Sequence, residues 1–404
     1  MKFPRLIFII AFLTCLYSFL ILKIYDLQIA KGGYYRALAA SRFRLTGSFE
    51  PLRGNIYFTN KEGVNAQVAV NKVYPLIYAV PKEIKDPASA ANALQEIIDI
   101  KRGDLLTTLS KSNSQYEVLQ KKATAEQAQK IQDLNIKGVY ISEEDLRFYP
   151  FNSLASQLLG FVAPTADDSV SVGRYGLESL YNDTLIGKSN PISRSIGENV
   201  YLTLDVNIQS RGEEILKKYI QQYHAIGGLF IVEEPKTGKI LALGGYPNFD
   251  PNNYADSPIK NFMNPVVQSV YEPGSVMKVI TMSAGIDSGK ITPQTTFFDS
   301  GSLVLDGKTI KNWDLKSHGK VTMTEVIEQS INTGAAYAQK LTGNDIFYNY
   351  LVKFGFGEKT NVEIPGEVRG DLRNLKSGFR EINFATAAFG QGVSVTPMQM
   401  INAI

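Results

Sequence analysis

The stretch YEPGSVMKVI, residues 271–280, carries the most informative chemistry in the chain. Pro273 and Gly274 interrupt the preceding segment, and an apolar helical run begins at Ser275. Because residues i and i+3 share one face of a helix, we expect the Ser275 hydroxyl and the Lys278 amine to face each other. A buried lysine can lose its proton near neutral pH and serve as the base for a serine nucleophile. The amino-terminal end of the helix also favours negative charge developing near Ser275.

The bare Ser-x-x-Lys pattern is weak, because it occurs twice more in this chain. In one copy, which starts at Ser257, the serine is followed by proline. In the other, which starts at Ser317, the serine lies in a polar loop that contains glycine. Neither serine opens an apolar helix, so we interpret both copies as chance occurrences.

A second candidate element is EQSINTGAAYAQ, residues 328–339. Ser330 and Asn332 form a Ser-x-Asn pair that lies 55 residues after Ser275. Ser330 is suited to relaying a proton between Lys278 and a leaving group, and Asn332 to hydrogen-bonding a substrate amide. The alternative is an ordinary polar helix start, because serine and asparagine are common caps. The position after a well-placed Ser-x-x-Lys favours the catalytic interpretation.

The amino-terminal segment predicts a membrane anchor. Residues 6–22, LIFIIAFLTCLYSFLIL, carry no charge and approach the ~20 residues that a membrane span needs. Lys2 and Arg5 precede the run, which favours a cytoplasmic amino terminus and a body outside the plasma (inner) membrane. We therefore predict that residues 1–24 are a cytoplasmic tip and an uncleaved anchor. The alternative is a signal peptide cleaved after the Ala-Leu-Ala triplet at 37–39.

Composition excludes several classes of protein. Hydrophobic residues make up 44% of the 404 residues and charged residues 20%, so the chain is globular. Lys+Arg is 42 and Asp+Glu is 39, and a net charge of +3 supplies no basic field for nucleic acid. The single cysteine, Cys15, excludes an intramolecular disulfide. The two histidines, His224 and His318, lack the context of a zinc site or a Ser-His-Asp triad.

Hydrophobic patterning divides the chain further. Residues 51–82 alternate as short strands do, and residues 86–145 have helical spacing with a helix start at Thr124. Residues 165–200 are rich in Gly, Ser, Asp and Asn, which is typical of a linker or an extended excursion of the chain. A hairpin with a Pro-Lys-Thr-Gly turn is predicted at 227–247. The segments after residue 273 are mostly helical, with interruptions at 292–311 and 357–376.

Taken in order, these motifs resemble those of the class B penicillin-binding proteins, membrane-anchored D,D-transpeptidases that cross-link peptidoglycan. The resemblance covers nearly the whole chain. The matching segments are PLRGNIYFTNKEG (51–63), IKGVYISEEDLRFYPFNSLASQLLGFV (136–162), GLESLYNDTLIGK (176–188), LTLDVNIQ (202–209), EPKTGKILAL (234–243), YEPGSVMK (271–278), FGFGEKTNVEIPGE (354–367) and AAFGQGVSVTPMQM (387–400).

The resemblance implies an α+β fold in three parts. After the anchor, residues 25–200 correspond to an elongated non-catalytic α+β domain of the pedestal or dimerisation type. Residues 201–404 correspond to a transpeptidase domain, an antiparallel sheet flanked by helices, that lacks its carboxy-terminal part.

The resemblance also implies roles for four residues. Ser275 matches the nucleophile that attacks the penultimate D-alanine of a stem pentapeptide, and Lys278 matches the general base. Ser330 and Asn332 match the family's Ser-x-Asn residues. β-Lactams would acylate Ser275, and the chemistry requires no cofactor and no metal.

The implied partners are the stem peptides of lipid II-derived glycan strands and a membrane glycosyltransferase of the division or elongation machinery. Two rival functions remain open: a non-enzymatic scaffold of that machinery, and a relative that hydrolyses or senses β-lactams.

One departure from the family pattern concerns its third motif, Lys-Thr/Ser-Gly, which should follow the Phe-Gly-Gln-Gly segment at 389–392. Lys236-Thr237-Gly238 has the right letters but precedes Ser275, and we interpret it as a hairpin turn. A helix start at Thr396 and Pro397 is followed by only a few residues before Ile404. We therefore expect a carboxy-terminally truncated chain whose 404 residues are inactive by themselves.

Overall fold

The computed structural model describes residues 3–25, 51–165, 171–187, 195–376 and 380–404. Helices and strands are mixed along these ranges, which confirms the α+β class. The α-helices are α1 (Phe3–Tyr25), α2 (Pro87–Leu94), α3 (Arg102–Leu109), α4 (Ala125–Leu134), α5 (Ser156–Leu159), α6 (Gly176–Leu180), α7 (Asn182–Ile186), α8 (Val206–Tyr223), α9 (Pro265–Gln268), α10 (Met277–Asp287), α11 (Met323–Glu328), α12 (Asn332–Thr342), α13 (Asn344–Lys353), α14 (Glu381–Ala387) and α15 (Pro397–Ala403). The strands are β1 (Ile56–Thr59), β2 (Asn65–Ala79), β3 (Glu117–Gln120), β4 (Val139–Phe148), β5 (Phe161–Pro164), β6 (Ser171–Arg174), β7 (Val200–Leu202), β8 (Gly228–Glu234), β9 (Lys239–Tyr246), β10 (Thr296–Asp299), β11 (Ser302–Leu305), β12 (Lys308–Lys311) and β13 (Gly319–Thr322).

The amino-terminal helix α1 contains the uncharged run, and its apolar side chains such as Phe12, Phe19 and Leu22 are exposed. Within the described ranges, no helix combines the length and the apolar character that a membrane crossing requires. The predicted membrane-spanning helix is therefore not confirmed and stays a prediction. Lys2 and the alternative cleavage triplet at 37–39 lie outside the described residues.

The first sheet is built on β2, which pairs antiparallel with β1, β3 and β4, while β1 also pairs in parallel with β7. The prediction that residues 86–145 are helical is wrong for β3 and β4. Strand β4 pairs with β2 over ten consecutive residues, from Val139 opposite Ala79 to Phe148 opposite Val70. Pairing with a distant strand overrides local preference here. Helix α4 does begin where predicted, after the capping box of Thr124 and Gln127.

The predicted linker at 165–200 is also only partly a linker. Strand β6 and helices α6 and α7 lie within it, whereas residues 166–170 and 188–194 are outside the described residues. Strand β6 pairs with β5, and α6 packs beside both strands, so this segment is part of the folded body.

A buried ionic cluster joins three of the segments that carry the family resemblance. The Glu178 carboxylate is fully buried and accepts hydrogen bonds from Arg53 Nε and Arg147 Nε, each at 2.6 Å. The Tyr149 hydroxyl donates to the same carboxylate at 3.2 Å. Burial, followed by the charge of Glu178, raises the pKa of Tyr149 well above its ordinary value. One carboxylate thereby connects the segment just before β1 and the end of β4 to α6.

Replacing Glu178 with glutamine is expected to lower the free energy of unfolding by about 3–5 kcal/mol, because two buried guanidinium groups lose their carboxylate partner. Urea denaturation measures the change. The control is Glu126→Gln, which breaks the exposed pair of Glu126 and Lys130 and should have little effect. Equal unfolding midpoints for the two variants would contradict the expectation.

The carboxy-terminal half begins with α8 and the hairpin of β8 and β9, which confirms the hairpin predicted at 227–247. Residues 235–238 form its exposed turn. Leu243 of β9 and Met398 of α15 share a hydrophobic core with Ile56 and Phe58 of β1, so the two halves pack together.

The site described below rests on helices α10, α12 and α14. Met277 and Ile280 of α10 pack with Phe384 of α14 and Val395 in one buried cluster. Helix α15 begins after a capping box of Thr396 and Gln399, as the sequence predicts. Two small antiparallel pairs, β10 with β13 and β11 with β12, lie between α10 and α11 in the chain.

Candidate active site

Ser275 lies in a tight turn directly before helix α10. Residues Gly274–Val276 form a single 3-10 turn, and α10 continues from Met277. Gly274 has a φ of 63° and donates its N–H to the Gly390 carbonyl at 3.1 Å. A Cβ atom on Gly390 would lie 2.2 Å from the Gly274 oxygen, so residue 390 must be glycine for this contact. The Phe-Gly-Gln-Gly turn therefore supports the turn that carries Ser275.

Lys278 projects from the first turn of α10 into the protein, and only 2% of its surface is exposed. Its Nζ donates to the Ser330 carbonyl at 2.6 Å, to Ser330 Oγ at 2.9 Å and to Asn332 Oδ1 at 2.9 Å. Ser330 Oγ in turn lies 3.0 Å from Ser275 Oγ. Ser330 thus bridges the lysine and the first serine.

Burial controls the charge of this amine. Removal from water disfavours the ammonium form and lowers the pKa of Lys278 to about 8. At mildly alkaline pH the Lys278 amine is therefore neutral in a substantial fraction of the molecules, as a proton acceptor requires.

Ser330 adopts a backbone conformation that is unusual for its residue type. Its φ is 55°, in the left-handed region, which costs roughly 1–3 kcal/mol for a residue other than glycine. This conformation lies between α11 and α12 and lets both the carbonyl and the hydroxyl of Ser330 face Lys278. The strain is consistent with a residue held in place for its chemistry.

Asn332 is the first residue of α12, and its side-chain amide is held at both ends. Oδ1 accepts from Lys278, and Nδ2 donates to the Lys311 carbonyl at 3.0 Å. An amide group has two hydrogens on nitrogen and two lone pairs on oxygen. Among the described hydrogen bonds, one N–H and one lone pair of this amide have no partner and can serve a ligand.

The structure brings all four candidate residues from the sequence into one hydrogen-bonded group. The other Ser-x-x-Lys copies lie elsewhere: Ser257 ends a short 3-10 segment, and Ser317 Oγ donates to the Asp299 carbonyl. Lys236, Thr237 and Gly238 lie in the exposed turn between β8 and β9, as interpreted from the sequence.

A further Lys-Ser-Gly triplet, residues 376–378, was overlooked in the sequence. It also precedes the 389–392 turn, and of its residues only Lys376 belongs to the described part of the chain.

Sequence reasoning also missed three buried polar residues next to Asn332. Asp299, Asn312 and Thr333 have at most 1% of their surface exposed and hydrogen-bond to one another. No sequence spacing links them, because they come from a strand end, a loop and a helix start. Among the described residues, no group of three or more His, Cys, Asp and Glu side chains is placed to hold a metal ion.

Comparison with known proteins matches two family models to the chain. One, described as the penicillin-binding protein dimerisation domain, covers residues 48–215. The other, described as the penicillin binding protein transpeptidase domain, covers residues 228–404 and includes all four candidate residues.

Several characterised proteins are similar over almost the whole chain. Stage V sporulation protein D of Bacillus subtilis (strain 168) is 31% identical over 424 residues, covering 99% of this chain and 64% of that protein. Peptidoglycan D,D-transpeptidase FtsI of Buchnera aphidicola subsp. Schizaphis graminum is 27% identical, covering 96% and 71%. Peptidoglycan D,D-transpeptidase MrdA of Escherichia coli (strain K12) is 24% identical, covering 95% and 69%. The chain thus spans 64% to 71% of the length of these relatives.

A solved structure is also similar. The crystal structure of a peptidoglycan synthetase from Bifidobacterium adolescentis superposes with a TM-score of 0.62 at 26% identity, covering 88% of this chain and 71% of that one.

Proposed function

Because this chain belongs to the class B penicillin-binding proteins, we propose that it is a serine D,D-transpeptidase that cross-links peptidoglycan stem peptides. The observation that carries the proposal is the line of hydrogen bonds from Lys278 through Ser330 to Ser275. The line joins a buried amine of lowered pKa to a hydroxyl next to a helix start. Ser275 is the proposed nucleophile, Lys278 the general base and Ser330 the proton relay.

Acylation begins with two proton transfers. The neutral Lys278 amine takes the proton of Ser330, while Ser330 takes the proton of Ser275. Hydroxyl hydrogens rotate freely, so the 2.9 Å and 3.0 Å separations serve transfer in either direction. The Ser275 oxygen bonds to the carbonyl carbon of the penultimate D-alanine, and an electron pair moves onto the carbonyl oxygen. When this intermediate collapses, the C–N bond breaks and the terminal D-alanine leaves with a proton returned through Ser330.

The second half of the reaction runs in the opposite direction. The amine of a neighbouring stem peptide attacks the carbonyl carbon of the ester on Ser275 and gives up one proton through Ser330 to the neutral Lys278. When the intermediate collapses, the bond from the carbonyl carbon to the Ser275 oxygen breaks, and the same proton returns through Ser330 to the serine oxygen. The free N–H of Asn332 is available to a backbone carbonyl of the stem peptide. When Ser275 opens a β-lactam ring, the product is also an ester on the Ser275 oxygen. This ester persists if its hydrolysis is slow.

The acylation rate is expected to rise with pH around the pKa of Lys278. Below pH 8 the amine is largely protonated and cannot accept a proton, whereas above pH 8 it is largely neutral. The neutral fraction, and with it the second-order rate constant for acylation by penicillin, should rise about tenfold between pH 7 and pH 9. Stopped-flow measurements across this range test the expectation. A rate constant that is flat or falls over the range would contradict it.

The activity is tested on the full-length protein with a peptide that ends in D-Ala-D-Ala and an amine acceptor. Mass spectrometry should detect free D-alanine together with the cross-linked product. Incubation with penicillin should add the mass of one β-lactam, mapped to the peptide that contains Ser275. Rapid turnover of the β-lactam would instead indicate a hydrolase, and a protein that is neither labelled nor active would indicate a scaffold.

We further propose that residues 1–24 anchor the protein in the plasma membrane with the body outside, and that 25–200 is a non-catalytic domain beside the transpeptidase domain at 201–404. The exposed apolar side chains of α1 support an anchor. Removing residues 1–24 should release the protein into the soluble fraction of lysed cells.

A membrane glycosyltransferase of division or elongation is the proposed partner. Co-purification after crosslinking in cells tests this pairing. Failure to recover such a glycosyltransferase would contradict the pairing.

A further inference from the structure

We propose that Asp299 is a positioning residue that, with Asn312 and Thr333, fixes the start of helix α12 and so keeps Ser330 and Asn332 in contact with Lys278. This inference rests on the proposed function, because it concerns the geometry of the same site. It adds three residues, none of which contacts Ser275 or Lys278 among the described hydrogen bonds.

Both oxygens of the Asp299 carboxylate accept two hydrogen bonds each. It is fully buried, and Oδ1 accepts from Thr333 Oγ1 at 2.7 Å and from the Gly301 N–H at 2.9 Å. Oδ2 accepts from Asn312 Nδ2 at 2.8 Å and from the His318 N–H at 3.0 Å. Burial acts to raise the pKa of Asp299, and these four hydrogen bonds together outweigh it and lower the pKa. Asp299 is therefore an anion held by four donors.

A buried carboxylate is costly unless it is compensated. Within the described part of the chain, no ion pair includes Asp299, so its compensation comes from hydrogen bonds. One further source is the helix dipole, because Thr333 lies in the first turn of α12, where negative charge is favoured. The carboxylate thus stabilises one particular position of that helix start.

The start of α12 is also attached to the last residue of β12 and to the residue after it, through two consecutive residues of the helix. Asn332 Nδ2 donates to the Lys311 carbonyl, and the Thr333 N–H donates to Asn312 Oδ1 at 3.2 Å. Asn312 is itself held by Asp299. Asp299 therefore acts on Asn332 along two routes, through the Thr333 hydroxyl and through Asn312.

The strained backbone of Ser330 explains why the start of α12 has to be held in place. A residue other than glycine with a φ of 55° remains there only where its surroundings hold it. On the side of α11, the Ser330 N–H donates to the Ile327 carbonyl at 3.1 Å. On the side of α12, the Asp299 cluster holds the chain. If this second attachment loosens, the carbonyl and hydroxyl of Ser330 and the amide of Asn332 shift away from Lys278 together.

Variants at Thr333 separate this role from simple packing. Thr333→Val keeps the shape of the side chain but removes the hydroxyl that donates a hydrogen bond to Asp299, whereas Thr333→Ser keeps that hydroxyl. The matched control is Thr342→Val on the same helix: Thr342 is also buried, but its hydroxyl donates to the Ala338 carbonyl within α12. Asp299→Asn, which removes one acceptor oxygen at nearly constant shape, provides a second measurement if Thr333→Val does not fold.

The readout is acylation of the full-length protein by a fluorescent penicillin, followed at several concentrations. This separates the first-order acylation rate constant from the dissociation constant of the non-covalent complex. Rates are expressed per site that can be titrated, so that an unfolded fraction does not contribute. Thr333→Val and Asp299→Asn should lower the acylation rate constant by about 10- to 100-fold, with little change in the dissociation constant. Thr333→Ser should retain the rate to within about threefold, and Thr342→Val should match the unmodified protein.

A Thr333→Val variant that is acylated at the normal rate per site would overturn the proposal. So would an equal loss of acylation rate in Thr333→Ser or in Thr342→Val. Failure of the proposed function is distinguishable, because the unmodified protein itself would then not be acylated.

Discussion

Replacing Ser275 with alanine should abolish covalent labelling of the full-length protein by fluorescent penicillin. The proposed reaction forms an ester with the Ser275 oxygen, and alanine has no atom that can replace that oxygen. Labelling on denaturing gels should fall to background, at least about 1,000-fold below the unmodified protein, while the thermal unfolding midpoint changes little. The hydroxyl makes one described contact, with Ser330, so its removal disturbs little packing.

The control for this experiment is Ser257→Ala. Ser257 begins another Ser-x-x-Lys copy but lies outside the site, so labelling of this variant should equal that of the unmodified protein. Labelling that persists in Ser275→Ala would assign the nucleophile to another residue and would remove the basis of the mechanism proposed above.

Replacing Lys278 with methionine should lower the second-order rate constant for acylation by about 100- to 10,000-fold, the usual contribution of a general base. Methionine fills a similar volume but accepts no proton. The variant should also lose the rise in rate between pH 7 and pH 9, because that rise reports the lysine. Stopped-flow acylation measurements over this pH range test both effects.

Thermal unfolding distinguishes this loss from a folding defect. Lys278 is almost completely buried, and burying an amine carries a desolvation cost that methionine does not have. Losing hydrogen bonds to Ser330 and Asn332 acts in the other direction, so we expect a modest change in the unfolding midpoint. The matched control is Lys260→Met, an exposed lysine from the Ser257 copy. A normal rate in Lys278→Met, or a pH profile that persists in it, would assign the base elsewhere.

Local sequence signals were reliable where the interactions that create them are local. The helix starts at Thr124 and Thr396 and the hairpin around residues 235–238 formed as predicted, because each depends on residues a few positions apart. The i, i+3 spacing of Ser275 and Lys278 belongs to the same class. It predicts two side chains on one side of a helix start, and both do reach Ser330.

Other features have no local signal. Residues 139–145 are predicted to be helical from their local pattern, but they belong to strand β4 because ten residues of β2 lie beside that strand. Arg53 and Arg147, which pair with Glu178, each lie more than thirty positions from it along the chain. No single motif therefore predicts the ionic cluster. The same holds for Asp299, Asn312 and Thr333.

The amino-acid sequence alone was enough to identify the family resemblance and to select Ser275, Lys278, Ser330 and Asn332, because motif chemistry and short-range spacing are written in consecutive residues. Tertiary structure alone decided that Ser330 lies between the other serine and the lysine, that the lysine is buried enough to lose its proton near pH 8, and that Asp299 supports the start of α12. The physical reason is that the burial of a side chain, its hydrogen-bond partners and its pKa depend on residues that are distant in sequence. Only the folded chain brings those residues into contact.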